Sequence, residues 1–168
     1  MATTPKLSFR IEIDLIGKKL KLTEQKGTAN NTLLDAEIVS GCEDTGTPVG
    51  TYVAGSWIKD KTNPIHGPTA WSKNMWANPY GPYFLPLNDS KTGKYTTYGI
   101  HGTRGPIFGG HVTPPLPKMI VSAVLGHEET KYLYCSHGCI RVSNQSITKI
   151  RELTAGKNGG ASIIVQIK

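Results

Sequence analysis

The chain has 168 residues and a formal net charge of +7, with ordinary apolar content. That length buries a core without metal or disulfide staples, and no segment approaches the roughly 18 to 20 apolar residues of a membrane span, so no membrane insertion is expected. The positive charge points to a polyanionic neighbour or to a plain soluble surface, but no long basic run and no interleaving of aromatic with basic residues occurs, so nucleic acid is not an expected partner.

Met1 to Lys6 lacks the apolar segment of a signal peptide, which implies a shortened chain or export by another route. From Leu7 the pattern Leu7-Ser-Phe9-Arg-Ile11-Glu-Ile13-Asp-Leu15 alternates strictly, as a half-buried strand does. Gly17-Lys-Lys reads as a turn and Leu20-Lys-Leu22 resumes the alternation, so the chain opens with a β-hairpin. Further strands are expected at Asp35–Ser40 and Gly50–Ala54, with the turn-rich stretch Gly41 to Gly50 between them. Lys59 to Pro82 reads as loop, its Trp71, Trp76 and Tyr80 either lining a groove or pinning the loop to the core.

Tyr83–Leu87 and Thr96–Ile100 read as short strands, the second running directly into His101. Lys118 to Leu125 is apolar without a clear period, and strand and buried helix both fit. Tyr132-Leu-Tyr134 has strand character. Ser143 to Thr154 is the clearest helix: Ile147, Ile150 and Leu153 recur at helical spacing, Ser143 or Asn144 caps the start and Gly156 stops it. Gly159 to Ile167 closes the chain as a β-branched strand. Neither a repeat nor a linker interrupts residues 1–168, so one mostly β domain with a helix packed on it is expected.

The chemistry concentrates in Tyr134-Cys-Ser-His-Gly-Cys-Ile-Arg-Val142. A nucleophilic cysteine needs a partner that ionises it, N–H groups aimed where negative charge develops, and partial exposure. With strand before and helix after, Cys139 is expected on a strand-to-helix connection, with the N–H groups of Gly138, Cys139 and Ile140 directed outward as an oxyanion hole. Gly138 would keep the substrate carbonyl uncrowded. His137 lies two residues from the thiol and points away on an extended segment, whereas His101 ends a separate strand and can face the thiol. His101 is therefore the expected base, lowering the thiol pKa, with the Gly102 carbonyl as its orienting acceptor. His137 would orient the turn or a substrate group. Arg141 suits a substrate carboxylate or an internal salt bridge.

Of the three cysteines, Cys139 is the expected free thiol. Cys42 and Cys135 fit either a disulfide or two buried thiols. A zinc site using Cys135, His137, Cys139 and His101 has an unusual ligand spacing, so no metal or cofactor is expected.

Tyr98-Gly-Ile-His-Gly-Thr103 followed by Ser136-His-Gly-Cys-Ile-Arg-Val142 resembles the signature of the L,D-transpeptidase catalytic domain, the cysteine enzymes that remodel bacterial peptidoglycan. Thr47-Pro-Val-Gly-Thr-Tyr52, Pro82-Tyr-Phe84 and the closing helix and strand extend the resemblance over most of the chain from Leu7. It implies a β-sandwich-like catalytic domain with one helix in its C-terminal half, Cys139 as nucleophile and His101 as base. Ser136, Arg141, Tyr98 and Tyr83 are then expected to contact substrate. One departure from the family pattern is the long link from Thr103 to Cys135, which looks like an inserted lid or wall and holds His111 and His127 as ordinary surface residues.

The resemblance implies attack on the bond between the third residue and the terminal D-alanine of a peptidoglycan tetrapeptide stem. A thioester on Cys139 would pass to an amine, acting in the periplasm or cell wall. A second expectation is an L,D-carboxypeptidase or D-amino-acid exchange enzyme delivered as an antibacterial effector, which would bring an immunity protein as partner. A third, of another class, is a zinc-binding or wall-binding module without catalysis.

Overall fold

The computed structural model describes residues 7–59, 61, 79–103, 108–118, 120, 127–155 and 162–168. Its strands are β1 (Leu7–Asp14), β2 (Lys19–Lys26), β3 (Ala29–Glu37), β4 (Gly50–Ala54), β5 (Ile58–Lys59), β6 (Tyr83–Asp89), β7 (Tyr95–His101), β8 (Ile140–Arg141) and β9 (Ile163–Ile167). Two helices are described, α1 (His127–Tyr134) and α2 (Asn144–Ala155), with a 3-10 turn at Glu43–Thr45. The mostly β architecture is as expected, but with a second helix.

The opening hairpin forms as the alternation predicts. Phe9, Ile11 and Ile13 of β1 and Leu20 and Leu22 of β2 are fully buried. The Asp14 carboxylate shapes the turn by accepting the N–H of Ile16 at 3.0 Å and of Gly17 at 2.8 Å. β3 starts earlier than its sequence suggests: Ala29-Asn-Asn-Thr carries no apolar signal, yet pairs with β2 down to Lys26. Backbone bonds of an edge strand do not require apolar side chains.

All the strands lie in one sheet, in the order β3-β2-β1-β9-β4-β6-β7-β8, with β5 joined to β6. The sheet curls, because its two ends meet. Past the end of β3, Val39 exchanges both backbone bonds with Arg141 of β8, at 2.9 and 2.8 Å, whereas a flat sheet would separate these strands by roughly 30 Å. Two residues on, Ser136 donates to Ser40 and accepts from Cys42. The residues just before the candidate nucleophile are thus stitched to the far edge of the sheet.

Inside the curl lies one core, with Leu85, Leu87, Ile100, Ile140, Val142 and Val165 fully buried against α2 through Ile147 and Ile150. Each such side chain contributes about 1.5 to 3 kcal/mol. Ser143 caps α2 by accepting the Ser146 N–H at 3.0 Å. Leu153 is only partly buried on this core. Gly156, most of Lys118 to Leu125, and the stretch that holds Trp71 and Trp76 lie outside the described residues.

Two local expectations are overturned. Tyr132–Tyr134 is the last turn of α1 and not a strand. Its apolar-looking triplet sends only Leu133 fully inward, onto Phe108, with Tyr134 packed beside the pair. Cys139 accordingly lies on a turn between α1 and the short strand β8, and α2 begins only at Asn144. Cys42 and Cys135, left open by the sequence, are joined as a disulfide with their Cα atoms 4.9 Å apart.

Candidate active site

The parallel ladder of β7 and β8 brings the two motifs together. Ile100 pairs with Ile140 and His101 with Arg141, so Ile100 and Ile140 face the core while His101 and Cys139 share the other side. Carried one residue back, the register sets Cys139 beside Gly99, whose backbone N–H favours the thiolate, and the thiol itself donates to the Thr97 carbonyl oxygen at 3.9 Å. Strand spacing and rise then put the Cα atoms of Cys139 and His101 about 8 Å apart, within reach of an imidazole and a thiol.

His101 is buried, 5% exposed, and held on several sides. Its Nδ1 lies 2.7 Å from the Gly102 carbonyl oxygen, so Nδ1 carries the proton and Nε2 is the basic nitrogen. Phe84, its register partner on β6, stacks on the imidazole with centroids 5.9 Å apart. Tyr80 meets it edge-on at 5.1 Å. Gly102 has no room for a side chain, since a Cβ would fall 2.3 Å from Asn144 Oδ1. That oxygen accepts the Thr103 N–H at 2.7 Å, which couples the start of α2 to the strand end that carries His101.

The turn before Cys139 is closed by Ser136. Its hydroxyl donates to the Cys139 carbonyl and accepts the Gly138 N–H at 3.1 Å, and Thr45 Oγ1 donates to the Ser136 carbonyl at 2.9 Å. Ser136 is buried, so it builds the turn and does not present its hydroxyl to substrate. The expected oxyanion hole contracts for the same reason. The Gly138 N–H is taken by Ser136, and Ile140 belongs to the ladder with β7. Among the described residues the Cys139 N–H has no hydrogen-bond partner and is the donor left to meet an oxyanion. Gly138 is required for another reason than substrate room: its φ is +108°, and a Cβ would sit 2.6 Å from the Tyr98 ring. Tyr98 thus packs under the turn.

Arg141 departs furthest from expectation. Its guanidinium donates to the carbonyls of Leu133 at 2.7 Å, Tyr132 at 2.9 Å and Cys135 at 3.2 Å, and lies 4.9 Å from the centre of the Phe108 ring. It caps the end of α1, where unpaired carbonyls and the negative end of the helix dipole favour a cation. Its donors are thus engaged by backbone carbonyls, and among the described residues no carboxylate pairs with it. Tyr83 likewise points away from the site, with its ring against Trp57 and beneath the Arg151 guanidinium of α2 at 4.6 Å. His137 is exposed and stacked on Tyr132 at 3.8 Å.

Burial pushes the Cys139 thiol up, against the opposing pull of the Gly99 N–H and of the charges on Lys61 and Arg141. The expectation of a thiol already lowered is therefore corrected: desolvation outweighs the nearby cations and favours the neutral thiol. Burial also lowers Arg141 to about 10, with the Cys139 charge acting in the opposite sense. Tyr80 is raised, by burial first and then by Cys139.

Two side chains at the site were not assigned to it from sequence. Phe84 was readable only once its register with His101 was known. Lys61 sits in a loop, and its ammonium lies 3.5 Å above the Phe84 ring. Tyr80 was weighed as a loop pin; it packs on the His101 imidazole. A separate cleft of about 420 Å³, lined by Asp35, Glu37, His111, Pro114 and Ser146 among others, contains none of these residues.

The model of the YkuD family, the L,D-transpeptidase catalytic domain, matches residues 8–158. The chain belongs to the L,D-transpeptidase catalytic-domain family. Its fold is similar to that of the helical cell shape determining protein Pgp2 from Campylobacter jejuni, with a TM-score of 0.60 at 15% identity over 97% of this chain and 48% of that one. It is similar also to an L,D-transpeptidase from Stackebrandtia nassauensis, with a TM-score of 0.53 at 13% identity over 96% and 55% of the two chains. The chain thus spans about half the length of these structures. A search of curated proteins found no match. Membership supports a peptidoglycan-remodelling, cysteine-dependent function for this L,D-transpeptidase domain. None of its described helices is long and apolar enough to cross a membrane. The zinc reading loses a ligand, because the Cys135 sulfur is bonded to Cys42.

Proposed function

We propose that this domain is a cysteine L,D-transpeptidase that cleaves the bond between the third residue and the terminal D-alanine of a tetrapeptide stem. The observation that carries the reading is the His101 imidazole, held by Gly102 in the tautomer whose Nε2 is basic, on the strand beside Cys139.

In this mechanism Nε2 takes the thiol proton as the sulfur attacks the scissile carbonyl. The tetrahedral oxyanion meets the Cys139 N–H, a type of contact worth on the order of 3 to 4 kcal/mol. Collapse breaks the C–N bond, His101 returns the proton to the departing amine, and D-alanine leaves. The acyl group stays on Cys139 as a thioester, which an incoming amine resolves while His101 accepts its proton. A raised thiol pKa fits a proton transfer concerted with attack. The Cys42–Cys135 disulfide fits an oxidising place of action such as the periplasm or cell wall.

The test is incubation of the purified protein with tetrapeptide, with and without an acceptor amine, beside a Cys139→Ala variant. D-alanine release and a thioester mass adduct on Cys139 are expected, with cross-linked product when the amine is present. Absence of both the release and the adduct would refute the reading; release with no amine incorporated would make the enzyme an L,D-carboxypeptidase.

A further inference from the structure

Lys61 follows β5 and places its ammonium 3.5 Å above the Phe84 ring and 4.8 Å from the centre of the Tyr80 ring. These are the rings that flank His101, so the ammonium stands in the wall of the catalytic site. Ring faces recover part of what a partly desolvated ammonium loses, but they leave its N–H donors for an anion.

Among the described residues the ion pairs are Lys19–Glu37, Lys131–Asp44 and Lys149–Glu152, so no carboxylate there holds Lys61. The other cation whose field reaches the thiol, Arg141, has committed its donors to three carbonyls at the end of α1. Among the described residues, Lys61 is therefore the cation near Cys139 that retains donors for a ligand.

We propose that Lys61 binds the terminal carboxylate of the acyl donor, the carboxylate of the D-amino acid that leaves. The inference rests on the proposed reaction, and the chemistry of that reaction sets the geometry. The terminal carboxylate carbon is three bonds from the carbonyl carbon that sulfur attacks, a separation of about 3 to 4 Å. An anchor for it must therefore stand close to the sulfur, on the leaving-group side. A stem longer by one residue moves its carboxylate outward by about another 3.5 Å, so Lys61 selects a donor that ends one residue beyond the scissile bond. A lysine suits this use, since a compact point charge held on aromatic faces meets one carboxylate without requiring the planar fork of an arginine.

The test uses the Cys139→Ala protein, in which bound peptide does not react. Calorimetric titration compares a tetrapeptide stem bearing a free C-terminal carboxylate with the same stem as C-terminal amide, with Lys61 intact and as Lys61→Met. With Lys61 the free acid is expected to bind about tenfold tighter than the amide, the scale of one charge-assisted contact. Lys61→Met should remove that difference and leave the amide's affinity unchanged, and Lys61→Arg should restore part of it. Equal binding of acid and amide with Lys61 present, a difference that survives Lys61→Met, or no binding of either peptide overturns the proposal. D-alanine release by the protein with Cys139 reports separately on the reaction. Its absence beside intact discrimination would remove the transpeptidase reading and leave the carboxylate site standing.

Discussion

Replacing Arg141 by methionine separates a fold-building arginine from a substrate-binding one. Arg141 is 7% exposed, and its pKa of about 10 against an ordinary 12.5 corresponds to about 3 kcal/mol for burying the charge. At neutral pH both folded and unfolded states carry that charge, so the cost is constant there; it is relieved only as pH rises through the folded pKa toward the unfolded one. Methionine removes this cost but gives up three hydrogen bonds from a charged donor, at about 1.5 to 3 kcal/mol each, and leaves the Leu133 carbonyl buried and unpaired. The Tyr132 and Cys135 carbonyls are only partly buried, so water recovers some of the loss. A net destabilisation of about 2 to 4 kcal/mol follows, or roughly 5 to 15 °C in Tm for a chain of this size. Thermal unfolding followed by circular dichroism measures it, with KM for the stem peptide below the transition as the second readout. A Tm within 2 °C of wild type together with a tenfold higher KM would show that Arg141 serves the substrate and would refute the capping argument.

His101→Ala should lower turnover by about 10² to 10⁴, as read by D-alanine release well below the unfolding temperature; retained turnover would move the base elsewhere. Gly138→Ala forces a side chain into a +108° φ and against the Tyr98 ring, so a loss of about 1 to 3 kcal/mol is expected in urea unfolding, and an unchanged midpoint would contradict the turn's geometry. Opening the Cys42–Cys135 bridge frees a loop closed across 93 residues, for which chain entropy allows about 4 to 5 kcal/mol. Thiol titration of the denatured protein should find one reactive thiol before reduction and three after, and three beforehand would disprove the bridge. Because the folded Cys139 thiol lies above its ordinary 9.0, the unfolded chain loses that proton first. Stability should therefore fall as pH rises through 9, and Cys139→Ala should flatten the slope. In the free enzyme iodoacetamide reactivity should rise with a midpoint above 9; a plateau already at pH 7 would reveal a preformed thiolate–imidazolium pair.

Periodicity made β1 and β2 readable, because their buried and water-facing side chains alternate and that contrast is written residue by residue; β4, β6 and β7 showed instead as short apolar and aromatic runs between turn formers, and β6 buries four consecutive residues. α2 was readable from its periodicity, with Ser143 as its cap. β3 was only partly readable, since its first half is held by backbone bonds to β2 and leaves no apolar trace. α1 was misread because the alternating Tyr132-Leu-Tyr134 fits a strand as well as it fits the end of a helix, and the arginine that satisfies that end comes seven residues after the helix stops.

By itself the sequence determined the chemical parts: a cysteine beside a glycine, a histidine ending a strand, and the motifs that place both in a peptidoglycan-remodelling family. What each neighbouring side chain does was decided only by the tertiary structure. Closure of the sheet spends Ser136 and the Gly138 N–H on the turn before Cys139 and Arg141 on the end of α1, and it turns Tyr83 away. The same closure brings Phe84, Tyr80 and Lys61 around His101. Sequence spacing carries no record of such encounters, because the partners are hydrogen-bonding groups and ring faces that meet across distant strands, and their assignment depends on register and curl rather than on residue type.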